Sequence, residues 1–244
     1  MVTIKCGKIT FSNIQAILFD KNGTLEDSET YLRSLAQKAA RLIDAQIPGI
    51  GEPLLMAFGI NANNLDPAGL ISVASRRETE VAAAAYIAET GRGWFESLKI
   101  ARQALDEAEK YIGRTPSPLF VGSLEVLKYL RERGLKLGIL SAATTQEVRK
   151  FVADHQLSDY IQLEMGVDEG PSKPDPRLFL QACQALGVEP GATLMVGDSV
   201  GDMQMTRNAK AAGCIGITWV GKSENVQGAD VVINQLEEIQ VLAA

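Results

Sequence analysis

The short apolar run at residues 14–19 is the feature that most constrains how this chain can fold. It has no continuation of helical length, which is typical of a buried strand in a parallel sheet. The run stops at Asp20 and is followed by a loop that contains Gly23. Open α/β sheets bind ligands at the carboxyl ends of their strands, which makes Asp20 a candidate functional residue. Asn22-Gly23 is also a common turn dipeptide, so a structural role for Asp20 stays open at this point.

Two later apolar runs end in the same way. Residues 135–140 stop at Ser141, and residues 193–196 stop at Gly197-Asp198. The carboxyl ends of parallel strands share one edge of a sheet, so we expect these side chains to meet Asp20. The coincidence of three such ends favours a functional site over three unrelated turns.

The acidic residues at these ends predict a cation site. Asp198 and Asp202 lie four positions apart at the expected start of a helix, so both can face Asp20. Three carboxylates at close range repel one another unless a cation is present. A hard divalent cation with oxygen ligands, most simply Mg²⁺, fits this set. The alternative for Asp198 is a helix N-cap.

Other polar groups at the same edge predict an anion site. Ser141 and the amides that follow it, beginning with Ala142, precede a predicted helix. Lys173 lies in a loop between Pro171 and Pro174 and could neutralise a bound phosphate. A nucleophilic carboxylate, a divalent cation, a hydroxyl with amides and an ammonium together favour phosphoryl transfer through an aspartyl-phosphate.

The order of predicted elements indicates two domains. Residues 27–113 show helical periodicity throughout, with one helix start expected at Asp66-Pro67 and another at a capping box beginning at Ser75. Strands and helices alternate from residue 118, which is typical of a parallel sheet. The expected fold is α/β, a Rossmann-like parallel-sheet core (1–26 plus 114–244) with an inserted all-helical domain (27–113). We also expect an N-terminal hairpin over residues 2–10 and a final helix.

Composition excludes several classes of function. Lys and Arg total 24 against 30 Asp and Glu, a net charge of -6, so we expect neither a nucleic-acid nor a membrane partner. Three widely spaced cysteines and no signal-peptide or membrane-span pattern predict a cytoplasmic protein. The single histidine, His155, argues against a Ser-His-Asp triad and against multi-histidine metal sites.

These motifs resemble those of the haloacid dehalogenase-like hydrolase superfamily, in its phosphoglycolate phosphatase and β-phosphoglucomutase-like branch. The first motif of that family, Asp-x-Asp-Gly-Thr, is similar to residues 20–24, which read Asp-Lys-Asn-Gly-Thr. Ser141 matches the second motif and Lys173 the third. The fourth, Gly-Asp-x-x-x-Asp, matches residues 197–202. The resemblance covers the whole core, whereas the insertion matches only in position and helicity.

The resemblance implies a role for each matched residue. Asp20 would attack the substrate phosphorus, and Mg²⁺ would be bound by Asp20, Asp198, the backbone carbonyl of Asn22 and, directly or through water, Asp202. The phosphoryl oxygens would be held by Ser141, the Ala142 amide and Lys173. The helical insertion would act as a cap that closes over a small phosphorylated metabolite.

Asn22 departs from the family pattern at the position of the general acid and base. Loss of such a group typically costs about 10²- to 10⁴-fold in rate. The chain could therefore be a slowed phosphatase, or one that uses another acid such as Glu26 or a cap residue. It could also be a phosphonatase, for which Lys38 is an available cap lysine, another divergent member such as a phosphomutase, or a catalytically silent phosphate-binding relative. Asp198 and Asp202 argue against a dehalogenase, which needs no cation.

The substrate is the least constrained part of this interpretation. Arg76 and Arg77, at a predicted helix start in the cap, could reach a second anionic group, although a solvated helix face is the simpler explanation. We expect a Mg²⁺-dependent phosphatase for a small phosphomonoester, with phosphoglycolate-like compounds as the first candidates.

Overall fold

The computed structural model describes residues 1–113, 115–219 and 223–242. In chain order its strands are β1 Val2–Cys6, β2 Ile9–Ile14, β3 Ala16–Phe19, β4 Ile60–Asn61, β5 Asn64–Leu65, β6 Lys136–Leu140, β7 Leu163–Met165, β8 Thr193–Gly197, β9 Gly213–Ile217, β10 Val231–Ile233 and β11 Ile239–Leu242. Its α-helices are α1 Glu29–Gln46, α2 Gly51–Phe58, α3 Leu70–Val73, α4 Arg76–Glu89, α5 Trp94–Ile112, α6 Ser123–Glu132, α7 Thr145–Asp154, α8 Pro176–Leu186 and α9 Val200–Asn208.

The chain forms two compact units. The first contains residues 1–27 and 118–244, and the second contains residues 28–117. Each unit has hydrophobic clusters of its own. Within the described part of either unit, no helix is long and apolar enough to cross a membrane.

The first unit is built on a six-stranded parallel sheet in the order β10-β9-β8-β3-β6-β7. Strand β3 is central, and its Phe19 pairs in register with Ile139 of β6 and Val196 of β8. All four side chains of β3 are buried, because the sheet is packed on both faces. Ile17 and Phe19 enter one hydrophobic cluster, whereas Ala16 and Leu18 enter another, as alternation along a strand requires. The expected Rossmann-like sheet is confirmed.

A separate three-stranded antiparallel sheet has the order β11-β1-β2. The predicted N-terminal hairpin is present as β1 and β2. The predicted final helix is wrong: only a short 3₁₀ turn, Leu236–Glu238, precedes strand β11. Residues Ile239 to Leu242 pair with Cys6 to Thr3 of β1, a partner more than 230 positions earlier in the chain. A local sequence pattern carries no information about a pairing over so many residues, so it could not predict this strand.

Within residues 28–113 and 115–117, the regular secondary structure of the second unit is helical except for one small hairpin. Strands β4 and β5 pair over two residues each, which the helical periodicity of this region did not predict. The capping box at Ser75 is present at the start of α4. The helix expected at Asp66-Pro67 is wrong, because the Asp66 carboxylate accepts a hydrogen bond from the Ala68 amide in a turn and α3 begins only at Leu70.

Candidate active site

The ends of the three central strands place the polar residues of the site at one edge of the sheet. Asp20 follows β3 directly, and its backbone N–H donates to the carbonyl of Val196 at 2.9 Å. Asp198 follows β8, and Ser141 follows β6. Since β3 lies between β8 and β6, Asp20 is the middle residue of this edge. The predicted convergence of strand ends is therefore present in the sheet order.

The carboxylates of Asp20, Asp198 and Asp202 form a compact cluster. One oxygen from each lies within 4.8 Å of the others, which is close enough for all three to hold one metal ion. Asp20 is 7 % exposed and Asp202 is fully buried. Because water screens these charges so little, the cluster needs positive charge nearby.

Lys173 supplies one positive charge to the cluster. Its Nζ lies 2.7 Å from Asp20 Oδ1 and 2.6 Å from Asp202 Oδ1, and its side chain is 5 % exposed. Burial disfavours the charged lysine, but the two carboxylates outweigh that effect and raise the pKa of Lys173. The ammonium therefore stays charged, and the loop after β7 brings it to the strand ends.

Burial also raises the pKa of Asp20, an effect that Lys173 partly offsets. The pKa of Asp198 is raised well above its ordinary value, by burial first and then by the charges of Asp20 and Asp202. The single ammonium of Lys173 thus does not neutralise the negative charge of the three carboxylates. A divalent cation beside them would favour their ionised forms, so the donor set fits such an ion.

Two features of the surrounding backbone fit a cation as well. The backbone carbonyl of Asn22 accepts no backbone hydrogen bond from the residues that the structure describes. Gly23 has φ +74°, and a Cβ at this position would lie 2.0 Å from Oδ2 of Asp198. A side chain here would displace the Asp198 carboxylate, so glycine lets the loop pass the cluster with that carboxylate in place.

Asp202 is oriented by its own helix start. Ser199 is the N-cap of α9, and its hydroxyl donates to Asp202 Oδ2 at 2.6 Å, while the Asp202 amide donates back to the hydroxyl at 3.2 Å. This capping box holds one carboxylate oxygen and leaves Oδ1 facing Lys173. The N-cap expected at Asp198 as the alternative role is thus filled by Ser199.

Fewer groups after β6 are free to bind an anion than the sequence predicted. Ser141 is 1 % exposed, and its Oγ accepts from the Ala143 amide at 3.2 Å. The Thr145 amide donates to the Asp168 carboxylate at 3.0 Å. The Ala142 amide has no acceptor among the described residues. The Ser141 hydroxyl and the Ala142 amide therefore remain for an anion.

The loop after Asp20 contains an ion pair that sequence reasoning missed. Lys21 Nζ lies 2.5 Å from Glu26 Oε2 and 2.5 Å from Asn22 Oδ1. Lys21 and Glu26 are each 8 % exposed. Backbone bonds from Leu25 and Glu26 to the Lys21 carbonyl close the loop and bring the two side chains together. Their separation of five positions carries no helical or strand signal, so only the turn geometry reveals the pair.

A further contact fixes the far side of this loop. The indole N–H of Trp219 donates to the backbone carbonyl of Thr24 at 3.1 Å. The indole stacks on Phe120 with ring centroids 4.5 Å apart, and the Phe120 amide donates to the Leu25 carbonyl. The loop of residues 21–26 is therefore held by packing and by hydrogen bonds on both sides.

Of the three cationic residues predicted to act in the second unit, Arg76 and Lys38 have partners within that unit. Arg76 pairs with Glu80, Asp106 and Glu109 of α4 and α5, so its charge is matched by carboxylates. This arrangement gives Arg76 a role in joining the two helices and does not favour anion binding. Arg77 is exposed on α4. Lys38 lies over the ring of Tyr111, with Nζ 3.4 Å from the centroid.

The chain is similar to known proteins over more than nine-tenths of its length. The phosphoglycolate phosphatase of Escherichia coli K12 is 25 % identical over 236 residues, which cover 94 % of this chain and 92 % of that protein. A β-phosphoglucomutase structure from Clostridium difficile superimposes with a TM-score of 0.69 at 19 % identity, covering 93 % of each chain. A predicted phosphoglycolate phosphatase from Haemophilus somnus gives a TM-score of 0.70 at 20 % identity, covering 92 % of this chain and 96 % of the other.

The family model for haloacid dehalogenase-like hydrolases matches residues 14–210. That segment begins just before β3 and ends just after α9, and so includes all four motifs and the insertion between them. The resemblance drawn from the motifs is confirmed. The chain belongs to the haloacid dehalogenase-like hydrolases and is an enzyme of that family.

Proposed function

We propose that this chain is a Mg²⁺-dependent phosphatase that acts on a small phosphomonoester through an aspartyl-phosphate at Asp20. The observation that carries the proposal is the contact of Lys173 Nζ with Asp20 Oδ1 at 2.7 Å inside a cluster of three carboxylates. A buried nucleophile beside a fixed ammonium and a cation site is the arrangement that phosphoryl transfer needs.

Each residue of the site has a defined task in this proposal. Asp20 attacks phosphorus with its free carboxylate oxygen. Ser141, the Ala142 amide and Lys173 donate to the transferring phosphoryl oxygens. Asp20, Asp198, Asp202 and the carbonyl of Asn22 would hold Mg²⁺, which when bound neutralises charge on the phosphoryl group.

The name of the curated relatives supplies the first substrate to test. Because those relatives are phosphoglycolate phosphatases, we propose phosphoglycolate-like compounds as first candidates, hydrolysed slowly since Asn22 cannot cycle a proton. We further propose that residues 27–113 act as the cap of the enzyme and residues 1–26 plus 114–244 as its core. The three cysteines are free and buried, which supports a reducing, cytoplasmic location.

A second candidate is a catalytically silent phosphate-binding relative. The observation that favours it is the Asn22 amide, which Lys21 contacts at 2.5 Å in place of a proton-transferring carboxyl group. Such a protein would bind Mg²⁺ and phosphate with a rise in thermal stability but would release no product.

The variant Asp20→Asn tests the proposal directly, because the amide keeps the shape of the carboxylate but cannot attack phosphorus. We expect Mg²⁺-dependent hydrolysis of p-nitrophenyl phosphate to fall to background. Asp159→Asn is the matched control, since it removes the same charge from an exposed residue of the first unit. Turnover that survives in Asp20→Asn would overturn the aspartyl-phosphate mechanism, and stabilisation without turnover in the unaltered chain would favour the binding protein.

A further inference from the structure

The side-chain amide of Asn22 is held in one orientation by the Lys21–Glu26 pair. A lysine ammonium has donors only, so the atom that it contacts at 2.5 Å must be the carbonyl oxygen of the amide. The Nδ2 end has no acceptor among the described residues, and it can donate a hydrogen bond but cannot transfer a proton. Asn22 is therefore a fixed neutral donor next to the nucleophile.

The other polar side chains near Asn22 are already paired or are fully buried. The Glu26 carboxylate is 8 % exposed and lies 2.5 Å from Lys21 Nζ. The Thr24 hydroxyl is fully buried and has no partner among the described residues. Lys173 is held between the carboxylates of Asp20 and Asp202. The loop of the nucleophile thus presents no free carboxyl group to a leaving oxygen.

This geometry separates two classes of phosphoryl donor. An alkyl phosphate releases an alkoxide, a strong base that needs a proton as the P–O bond breaks. An acyl phosphate releases a carboxylate, which is a stable anion and needs none. A nucleophile whose loop presents no free carboxyl group to the leaving oxygen therefore suits the second class far better.

We propose that this enzyme has a further activity, the transfer of the phosphoryl group of an acyl phosphate to Asp20, and that the phosphorylated protein persists. The inference rests on the proposed role of Asp20 as nucleophile. In the first step a carboxylate oxygen of Asp20 forms a bond to phosphorus, the bond from phosphorus to the acyl oxygen breaks, and its electron pair leaves with the carboxylate product. No proton is gained or lost.

The second step explains why the phosphoryl group stays on Asp20. Water must attack phosphorus, the bond to the Asp20 oxygen must break, and both hydrogens of the water must end on the released phosphate as dihydrogen phosphate. That step balances, but the loop offers no base to take a proton from the attacking water. General bases typically contribute about 10²- to 10⁴-fold, so the phosphorylated form should be longer-lived by a similar factor.

The test uses the full chain with Mg²⁺ and acetyl phosphate, and it follows the intact protein mass after an acid quench. We expect one added phosphoryl group per chain, absent in Asp20→Asn and scarcely accumulated in Asn22→Asp, which regains a base. The ratio of kcat/KM for acetyl phosphate to that for glycerol 2-phosphate should be about 10²- to 10⁴-fold larger in the unaltered chain than in Asn22→Asp.

The double variant Lys21→Met/Glu26→Gln shows whether Lys21 itself supplies the proton. It removes both charges together, so neither is left buried and unpaired, and circular dichroism checks its fold. We expect its ratio for the two substrates to match that of the unaltered chain. A small ratio in the unaltered chain that grows in the double variant would show proton donation by Lys21 and overturn the inference.

Failure of this inference is distinguishable from failure of the proposed function. Asp20-dependent hydrolysis of p-nitrophenyl phosphate, with no accumulated phosphoprotein from acetyl phosphate and no preference for it, would overturn the inference alone. The absence of both turnover and phosphorylation with every donor would overturn the two together.

Discussion

At the scale of single residues, the site depends on a glycine, Gly23, whose lack of a side chain leaves room for the Asp198 carboxylate. Gly23 has φ +74°, and an added Cβ would lie 2.0 Å from Asp198 Oδ2. That oxygen is at the far end of a side chain, so Asp198 would move aside instead of unfolding the loop. The cost of a larger residue should therefore fall mainly on the proposed cation site.

We predict that Gly23→Ala weakens Mg²⁺ binding by at least about 10-fold, because a displaced carboxylate is a lost ligand. Isothermal titration calorimetry measures this affinity. Gly134→Ala is the matched control: Gly134 has φ +83° and open space around it, so both variants carry left-handed strain of about 1–2 kcal/mol. Equal Mg²⁺ affinity in the two variants would contradict the role of Gly23.

The residues of the site were predictable from sequence to different degrees. Asp20, Ser141 and Asp198 were predictable because each directly follows a mostly apolar strand, and such strand ends meet at one edge of the sheet. The Lys21–Glu26 pair was not, because it depends on how the loop turns back at Gly23. The same limit applies to Arg76, whose carboxylate partners on α5 lie 30 and 33 positions away.

At the scale of elements, the N-terminus of helix α9 links stability to the site. Ser199 caps the helix and at the same time holds Asp202 Oδ2 at 2.6 Å. The capping box at Ser75 has the same chemistry at the start of α4, where its partner is Glu78, which does not belong to the cluster of Asp20, Asp198 and Asp202.

We predict that Ser199→Ala and Ser75→Ala each lower the free energy of unfolding by about 1 kcal/mol through loss of the cap. Only Ser199→Ala should also weaken Mg²⁺ binding, since Asp202 is then free to rotate. Urea denaturation and calorimetry measure the two effects. A loss of Mg²⁺ affinity in Ser75→Ala, or none in Ser199→Ala, would show that the cap does not orient Asp202.

Elements were predictable where local pattern decides them. Strands β3, β6 and β8 are short buried apolar segments bounded by turns. Their parallel direction follows from the helices that connect them. Strand β11 and the β4–β5 hairpin were missed, because each is defined by its pairing partner and not by its own periodicity. For β11 the partner is β1, at the other end of the chain, so a short stretch of sequence around β11 cannot reveal the pairing.

At the scale of the whole molecule, the three cysteines test how well the core of the first unit excludes water. Cys6 lies in β1, Cys183 in α8 and Cys214 in β9, and all three are buried and free. Burial raises the pKa of Cys6 to about 12 and that of Cys183 and Cys214 each to about 11, from 9.0. The folded chain therefore holds these thiol protons more tightly than the unfolded chain does.

We predict that the free energy of unfolding falls as pH rises above about 9 toward 11, because the unfolded chain loses these protons first. Urea denaturation at pH 8, 9 and 10 measures the trend. Cys183→Ala should lose part of this dependence, since one of the three thiols is gone. An identical slope in the variant would mean that other groups cause the alkaline loss.

The central claim is that the fold and site are those of a phosphatase whose turnover is limited by Asn22. The most direct measurement is the hydrolysis of phosphoglycolate with and without Mg²⁺ by this chain and by Asn22→Asp. We predict that the variant is faster by about 10²- to 10⁴-fold in the presence of Mg²⁺, because a carboxyl group restores proton transfer to the leaving oxygen. Rapid hydrolysis by the unaltered chain, with no gain in the variant, would contradict the claim.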